Sequence, residues 1–246
     1  MITLAVLAGC MVALWGVSLR VRDSSIVDIF WGPAFVLVAW LSVLEFDPNP
    51  RGVLVACLVS VWGLRLGIYL ARRNLGHGED KRYTAMRSKH GAPWWWRSLF
   101  IVFGLQGALV WIVSLPVRTA IVSEFTSWAW TDLIGIVLVS GGILFESVGD
   151  WQLSRFKADP ANKGKIMNRG LWRFTRHPNY FGDFVVWWGF GAFGNWFGLI
   201  GPLVMSVLLV RVSGKALLEA SMRDRPGFAE YEKATSGFFP WWPKSN

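Results

Sequence analysis

Long apolar runs separated by short clusters of charged residues are the feature that most constrains this sequence. Each run approaches the ~20 residues that an α-helix needs to cross a hydrocarbon core of about 30 Å. Charged residues make up only 17% of the chain, against about 25% in an average soluble domain. They fall between the apolar runs rather than along one face of each helix. The sequence therefore predicts an all-α, polytopic integral membrane protein.

The apolar runs predict seven transmembrane helices. We expect the first run to be retained rather than cleaved as a signal peptide, because no basic segment precedes it and the next run is equally apolar. No linker, repeat or low-complexity stretch divides the chain, so we predict a single transmembrane domain over residues 1–246. The predicted helices cover residues 2–20, 25–46, 52–73, 98–118, 130–155, 180–194 and 197–222.

The basic residues alternate between the two sides of a seven-helix arrangement. The segments after the first, third, fifth and seventh helices hold 22 Lys and Arg residues, and the intervening loops hold only Arg51 and Arg118. Loops rich in Lys and Arg stay in the cytoplasm. We therefore predict an N-terminus outside the cell and a cytoplasmic C-terminus, and the same rule explains the net charge of +9 without nucleic acid.

The two cysteines, Cys10 and Cys57, both lie inside apolar runs. Their positions predict neither a disulfide framework nor a metal site. We interpret both as small side chains of membrane helices.

Polar residues inside the apolar runs are costly and need a reason. Asp28 lies near the start of the second predicted helix, and Arg65 and Tyr69 lie one turn apart in the third. Glu146 and Asp150 are one turn apart near the end of the fifth. One interpretation is structural: Arg65 pairs with a carboxylate and Asp28 caps or snorkels at a helix end. The other is a polar cavity that opens to the cytoplasm.

The segment from 155 to 183 combines basic residues with Trp, Phe, His, Asn and Tyr, which a loop needed only for its charge does not require. Arg and Lys bind phosphate. Pro178 favours a helix start, which places Asn179 and Asp183 one turn apart at a helix N-terminus, itself a site for anions. The pattern predicts a pocket for a charged cofactor. The sequence contains neither a Gly-x-Gly-x-x-Gly motif after a strand nor a P-loop, so side chains must form it.

This segment also carries a resemblance to a known family. It resembles the C-terminal signature of DUF1295, a bacterial membrane-enzyme family related to steroid 5α-reductases and sterol C14-reductases. An Asp28-x-x-Trp31-Gly32 motif, the loop from Arg72 to Tyr83 and the tail from Glu219 to Pro240 are similar to the same family. The signature reads Gly170-Leu171-Trp172-Arg173-x-x-Arg176-His177-Pro178-Asn179-Tyr180-x-Gly182-Asp183.

The resemblance implies a seven-helix reductase of the bacterial inner membrane, with NADPH bound from the cytoplasm and a lipophilic enone from the bilayer. It places the cofactor site in the C-terminal half, from about residue 146 to 246. In the steroid reductases, an Asn and a carboxylate four residues later hold the nicotinamide half. The implied cofactor-binding residues are Glu146, Asp150, Lys157, Arg173, Arg176, His177, Asn179, Tyr180, Asp183, Arg211 and Glu219.

The chain departs from the steroid reductases where they hold the substrate carbonyl with a Gln-Glu pair and a Tyr. Asp28 and Trp31 stand at the pair, and Trp62 or Tyr69 at the Tyr. In a reduction, charge develops on the carbonyl oxygen and needs a hydrogen-bond donor. Desolvation favours a neutral carboxylic acid, so a protonated Asp28 is our first candidate for that donor, with Arg65 and Tyr69 as alternatives.

Two other functions fit parts of the sequence. Isoprenylcysteine and phospholipid methyltransferases share the Arg-His-Pro-x-Tyr core, so an S-adenosylmethionine-dependent lipid methyltransferase is the rival hypothesis. The many cations favour NADPH, which carries a pyrophosphate and a 2′-phosphate. A non-catalytic lipid-binding protein would leave Asp28, Arg65 and Asp150 without a purpose.

Overall fold

A computed structural model of the protein describes residues 1–47, 49–124, 127–212 and 214–244. Within these ranges the regular structure is entirely helical and contains no strand. The α-helices are α1 Ile2–Val21, α2 Ile26–Phe46, α3 Pro50–Asn74, α4 Lys81–His90, α5 Trp94–Ser98, α6 Leu105–Val113, α7 Leu115–Ile121, α8 Trp130–Ala158, α9 Pro178–Phe193, α10 Ile200–Val207, α11 Lys215–Met222 and α12 Phe228–Ala234.

Six helical stretches in the described part of the chain are long and apolar enough to cross a membrane, which supports the multi-pass prediction. The predicted helix 180–194 is not among them, because α9 has only 16 residues and is therefore about 24 Å long. The six stretches are Ile2–Val21, Ile26–Phe46, Pro50–Asn74, Trp94–Val113, Trp130–Ala158 and Trp196–Ala220.

The chain divides into two compact units. The first unit consists of Met1–Trp128 and Gly194–Ile200, and the second of Ala129–Phe193 and Gly201–Asn246. Each unit is built around one pair of antiparallel, closely packed helices, α2–α3 in the first and α8–α9 in the second.

Glycines allow α2 and α3 to pack backbone against backbone. A β-carbon on Gly63 would lie only 2.5 Å from the carbonyl oxygen of Gly32, and one on Gly67 would lie 2.8 Å from the ring of Pro33. Gly63 and Gly67 have the four-residue spacing that lets membrane helices approach closely. Apolar side chains alone gain little by association in lipid, so this close contact is what joins the pair.

Two local features of the first unit differ from the predicted helices. The predicted helix 98–118 ends early, at Val113, and continues as the separate helix α7, because Pro116 cannot donate a backbone hydrogen bond. It also contains a π-helical turn, Leu99–Gly104. The helix α4 was not predicted, since it is polar and follows a loop with glycines at positive φ, Gly76 and Gly78.

The second pair, α8 and α9, is packed by glycines with a seven-residue spacing. Gly135, Gly142 and Gly149 on α8 are all buried. Added β-carbons would lie 2.7 Å from the Gly182 carbonyl oxygen at Gly142 and 2.6 Å from the Glu146 nitrogen at Gly182. The sequence repeat thus keeps one narrow face of α8 against α9 over several turns.

Candidate functional site

Three carboxyl groups are buried in the contact between α8 and α9. Glu146 and Asp150 are each 3% exposed and Asp183 is 8% exposed. Asn179 belongs to the same group, because its side-chain amide donates a hydrogen bond of 3.2 Å to Asp150. We call Glu146, Asp150, Asn179 and Asp183 the acidic cluster.

The glycine contact positions the acidic cluster. Gly182 is packed against the backbone of Glu146, so Asp183 follows directly beside that turn of α8. Gly149 is packed against the backbone nitrogen of Asn179 at 3.2 Å from its would-be β-carbon. Larger residues at either glycine would push the two helices apart, and the carboxyl groups with them.

The start of α9 is built as the sequence predicted. Pro178 is its first residue and is buried, and Asn179 and Asp183 follow in its first turns. The backbone nitrogen of Tyr180 donates to the Asn179 side-chain oxygen at 3.1 Å. The carboxamide is therefore held between the N-terminus of α9 and Asp150, with both its oxygen and its nitrogen engaged.

Arg176 makes its contacts with the C-terminal tail. Its guanidinium donates to Glu219 Oε1 at 2.8 Å and to the carbonyl oxygens of Glu232 and Thr235 at 3.0 and 2.8 Å. Its side chain is only 7% exposed. These contacts attach Arg176 to the tail, and its role in phosphate binding stays a prediction.

His177 and Glu219 belong to the same structural contact. His177 is fully buried, its Nε2 lies 2.9 Å from Glu219 Oε1, and its ring is stacked on Tyr180. Burial lowers the pKa of the His177 imidazole, and the hydrogen bond to Glu219 opposes this only in part. We assign the proton to Nε2 because Glu219 also accepts from Arg176. Within the described residues, Nδ1 has no hydrogen-bond partner.

The remaining predicted cations of the second unit are exposed. Lys157 lies in the last turn of α8, Arg173 in a 3₁₀ turn, and Arg211 at the end of a π-helical turn, Leu208–Val212. Their side chains therefore reach the surface of the second unit.

Supporting residues of this region were missed at the sequence level. Trp172 is buried and donates from Nε1 to the Gly149 carbonyl oxygen at 3.0 Å. Gln152 accepts from the Leu171 backbone nitrogen at 2.9 Å, and Tyr231 donates to the Trp172 carbonyl oxygen at 2.6 Å. These contacts fix the loop before α9, and the sequence signal for them was the family signature, which includes Trp172.

In the first unit, Asp28 lies against α4. Its two oxygens accept from Arg82 at 2.6 Å and from the Tyr83 hydroxyl at 2.7 Å. Arg82 also binds Asp80 at 3.0 Å. Both oxygens of this carboxyl group are thus engaged by donors, and a protonated Asp28 stays a prediction.

The electrostatics of α4 keep its donors protonated. Burial, together with the negative charge of Asp28, raises the pKa of the Tyr83 hydroxyl far above its usual range. Burial alone would lower the pKa of Arg82, but the hydrogen bond to Asp80 and the charge of Asp28 outweigh it and raise this pKa. Arg82 and Tyr83 could be noticed in the sequence because both lie in the loop from Arg72 to Tyr83, which is similar to the same family.

Arg65 and Tyr69 lie on α3 and are both partly exposed. The Arg73 guanidinium lies 5.8 Å from the Tyr69 ring centre. All three predicted catalytic residues thus belong to the first unit, whereas the predicted cofactor-binding residues belong to the second. Among the residues that the structure describes, no group of His, Cys, Asp and Glu side chains is arranged to hold a metal ion.

Comparison with known proteins identifies relatives. A family model described as "Protein of unknown function (DUF1295)" matches residues 14–235. The chain is 25% identical over 269 residues to the Uncharacterized protein C594.04c of Schizosaccharomyces pombe (strain 972 / ATCC 24843), with 92% of this chain and 75% of the yeast protein covered. No solved structure matches the chain.

Proposed function

The chain belongs to the DUF1295 family, and from that premise we propose that it is an NADPH-dependent membrane reductase. Its reaction would reduce a carbon–carbon double bond conjugated to a carbonyl group in a lipophilic substrate, such as a steroid-like or other lipid enone. The observation that carries the proposal is the acidic cluster, with Asn179 bonded to Asp150 at the start of α9.

Buried polar groups in an apolar helix pair are costly unless they are paired or serve a purpose. Carboxylates accept hydrogen bonds from ribose hydroxyls, and a carboxamide can pair with the amide of nicotinamide. The acidic cluster contains both kinds of group. These residues therefore fit the polar, uncharged half of a nicotinamide cofactor.

The phosphates of the cofactor need cations. Arg176 is engaged with the tail, so we assign this role to the exposed Lys157, Arg173 and Arg211. When bound, NADPH supplies the hydride. The task of the residues named here is to hold and orient it, and to keep water from the reacting atoms.

We also propose a role for Asp28 of the first unit, considered by itself. Asp28 accepts hydrogen bonds from Arg82 and from the Tyr83 hydroxyl and so orients the Arg82 guanidinium. The remaining N–H groups of Arg82 are donors of the kind that a carbonyl oxygen gaining negative charge needs. Arg65 and Tyr69 remain alternative donors. Turnover of a cognate enone that is unchanged in Asp28→Asn would remove this cluster from the proposal.

The proposal includes a membrane topology. We propose seven spans in a bacterial inner membrane, with α9 as the short sixth, the N-terminus outside and the C-terminus in the cytoplasm. The distribution of 22 Lys and Arg residues on one side supports this orientation. In a background with Cys10→Ala and Cys57→Ala, the exposed positions Ser127→Cys and Arg155→Cys should be labelled from opposite sides of the membrane.

One observation favours a second candidate, an S-adenosylmethionine-dependent lipid methyltransferase. With Arg176 engaged, the buried part of the second unit carries the three carboxyl groups of the acidic cluster. A sulfonium cation is electrostatically suited to such surroundings. The exposed cations have no evident use in that reaction, and we therefore rank it second.

The deciding experiment is direct binding of both cofactors to purified protein. We expect saturable NADPH binding that weakens at least about tenfold, or 1.4 kcal/mol, in Asn179→Ala and Lys157→Ala. The exposed Asn168→Ala and Lys163→Ala serve as matched controls. Binding of S-adenosylmethionine alone would establish the second candidate and exclude the first.

A further inference from the structure

The C-terminal tail exposes large aromatic side chains. Phe239, Trp241 and Trp242 are 62%, 72% and 74% exposed. A contiguous group of exposed aromatic residues on a folded surface marks an interaction site. We call these three residues the tail aromatics.

The tail aromatics are presented by a fixed backbone. The Arg176 backbone nitrogen donates to the Ser236 carbonyl oxygen at 2.9 Å, and the Trp241 nitrogen donates to the Phe174 carbonyl oxygen at 2.9 Å. The buried Thr175 hydroxyl donates to the Phe238 carbonyl oxygen at 2.7 Å. The tail is thus attached along its length to the segment before α9, and its exposure is a property of the fold.

The same contacts set the depth of the tail relative to the membrane. The segment before α9 is attached to α8 through Trp172 and Gly149, and through Leu171 and Gln152. With 29 residues, α8 is about 43 Å long, which exceeds a hydrocarbon core of about 30 Å by some 13 Å. Its apolar part precedes Glu146, so Gly149 and Gln152 lie where α8 leaves the hydrocarbon.

The chemistry of the tail suits that depth. Trp and other amphipathic aromatic side chains favour the headgroup level of a bilayer. The exposed Lys244 follows the tail aromatics in the chain, and the exposed Arg173 directly precedes Phe174. Cations near the membrane surface attract lipid phosphates. Phe174 is in edge-to-face contact with Trp242 at 5.4 Å, which links the two sets of residues.

We propose that the tail aromatics form a membrane anchor that inserts among the phospholipid headgroups on the side where α8 ends. The anchor holds the tail at the bilayer, and Arg176 and Thr175 connect it to the start of α9. The proposal rests on the membrane helices and the tail contacts, and it does not depend on the reaction proposed above.

A depth measurement on the full chain tests the anchor. Spin labels are placed at Trp242→Cys and, as the control, at the exposed Lys163→Cys, in a background with Cys10→Ala and Cys57→Ala. In vesicles of phosphatidylcholine and phosphatidylglycerol, we expect the 242 label to collide with dissolved oxygen several-fold more, relative to a water-soluble nickel complex, than the 163 label. Equal ratios at both positions would overturn the proposal.

A second measurement uses the wild-type chain, so it is independent of folding of the cysteine variants. The protein is reconstituted with phosphatidylcholine that carries a diazirine next to its headgroup, irradiated and digested. We expect lipid adducts on the peptide containing Phe239 to Trp242, reduced several-fold in the Trp241→Ala, Trp242→Ala variant. Adducts on α1 and α8 without any on the tail would contradict the anchor.

Discussion

The helix pairs α2–α3 and α8–α9 are both packed through glycines, but their carboxyl groups lie in different places. In both, glycine brings one backbone within contact of the other, at Gly63 against Gly32 and at Gly142 against Gly182. In α2–α3, Asp28 lies at the end of the contact and binds Arg82, a cation supplied by a separate helix. In α8–α9, carboxyl groups lie inside the contact, and Asp150 accepts from the neutral Asn179.

The two arrangements differ in what they cost the fold. A carboxylate paired with a guanidinium has its charge compensated by the protein and holds two elements together. A group of carboxyl and carboxamide side chains buried in an apolar contact is costly to assemble. That cost is the physical reason for our proposal that the second pair binds a cofactor.

The largest expected effect concerns Arg176, which is buried and bonded to the tail. Arg176→Ala should lower the free energy of unfolding of the protein in micelles by about 3–5 kcal/mol, because Glu219 and two carbonyl oxygens lose a buried donor. The exposed Arg173→Ala is the matched control. If Arg176→Ala instead leaves stability intact and abolishes NADPH binding, Arg176 is a phosphate ligand after all.

The next effect tests the glycine contact itself. Gly142→Val should destabilise the protein by about 3 kcal/mol, because its β-carbon would lie 2.7 Å from the Gly182 carbonyl oxygen. The neighbouring Gly141→Val should be nearly neutral, since a β-carbon there meets nothing within 4 Å. Thermal unfolding followed by size-exclusion chromatography measures both. Equal losses for the two variants would show that helix propensity, and not packing, is being measured.

A smaller effect tests the paired carboxylate of α2–α3. Asp28→Asn should cost about 1–2 kcal/mol of stability through the weakened bonds to Arg82 and Tyr83, with the partial exposure of Arg82 limiting the loss. Asp224→Asn, at an exposed position, is the control. If Asp28→Asn leaves the free energy of unfolding unchanged, the Asp28–Arg82 pair does not stabilise the protein. The contrast between the paired carboxylate of α2–α3 and the buried carboxyl groups of α8–α9 would then be wrong.

The smallest effect is a dependence on pH through His177. Its folded pKa lies below the ordinary 6.5, so the unfolded chain binds the proton more readily. The free energy of unfolding should therefore be constant well above pH 6.5 and fall as the pH drops from 6.5 toward the folded pKa. The slope should be at most about 1.4 kcal/mol per pH unit. In His177→Gln, thermal unfolding should lack this pH dependence. Identical pH profiles for the variant and the wild-type chain would rule out His177 as its source.

Much of the fold could be predicted from the sequence because lipid imposes a strong constraint on composition. A span must satisfy its own backbone and be apolar, so α1, α2 and α3 differ from the predicted helices by only a few residues. The start of α9 at Pro178 could also be predicted, because proline is suited to the first turn of a helix. Local chemistry alone determines features of this kind.

The polar helix α4 and the assignment of Arg176 could not be predicted in this way. Asp28 and Arg82 are separated by 54 residues, and Arg176 and Glu219 by 43. Many carboxylates in the chain could pair with either arginine, and nothing in the local pattern selects one of them. Partner choice depends on which surfaces the helices bring together.

The sequence by itself determined that this is a helical membrane protein with its cations between its apolar runs, because hydrophobic length and charge are properties of each segment alone. It also supplied Asn179 and Asp183 as a spaced pair. Only the tertiary structure decided the bonded partners: Asn179 donates to Asp150, whereas Arg176 and His177 bond to Glu219. The physical reason is that a hydrogen bond depends on a distance of about 3 Å, which the packing of glycines between α8 and α9 sets.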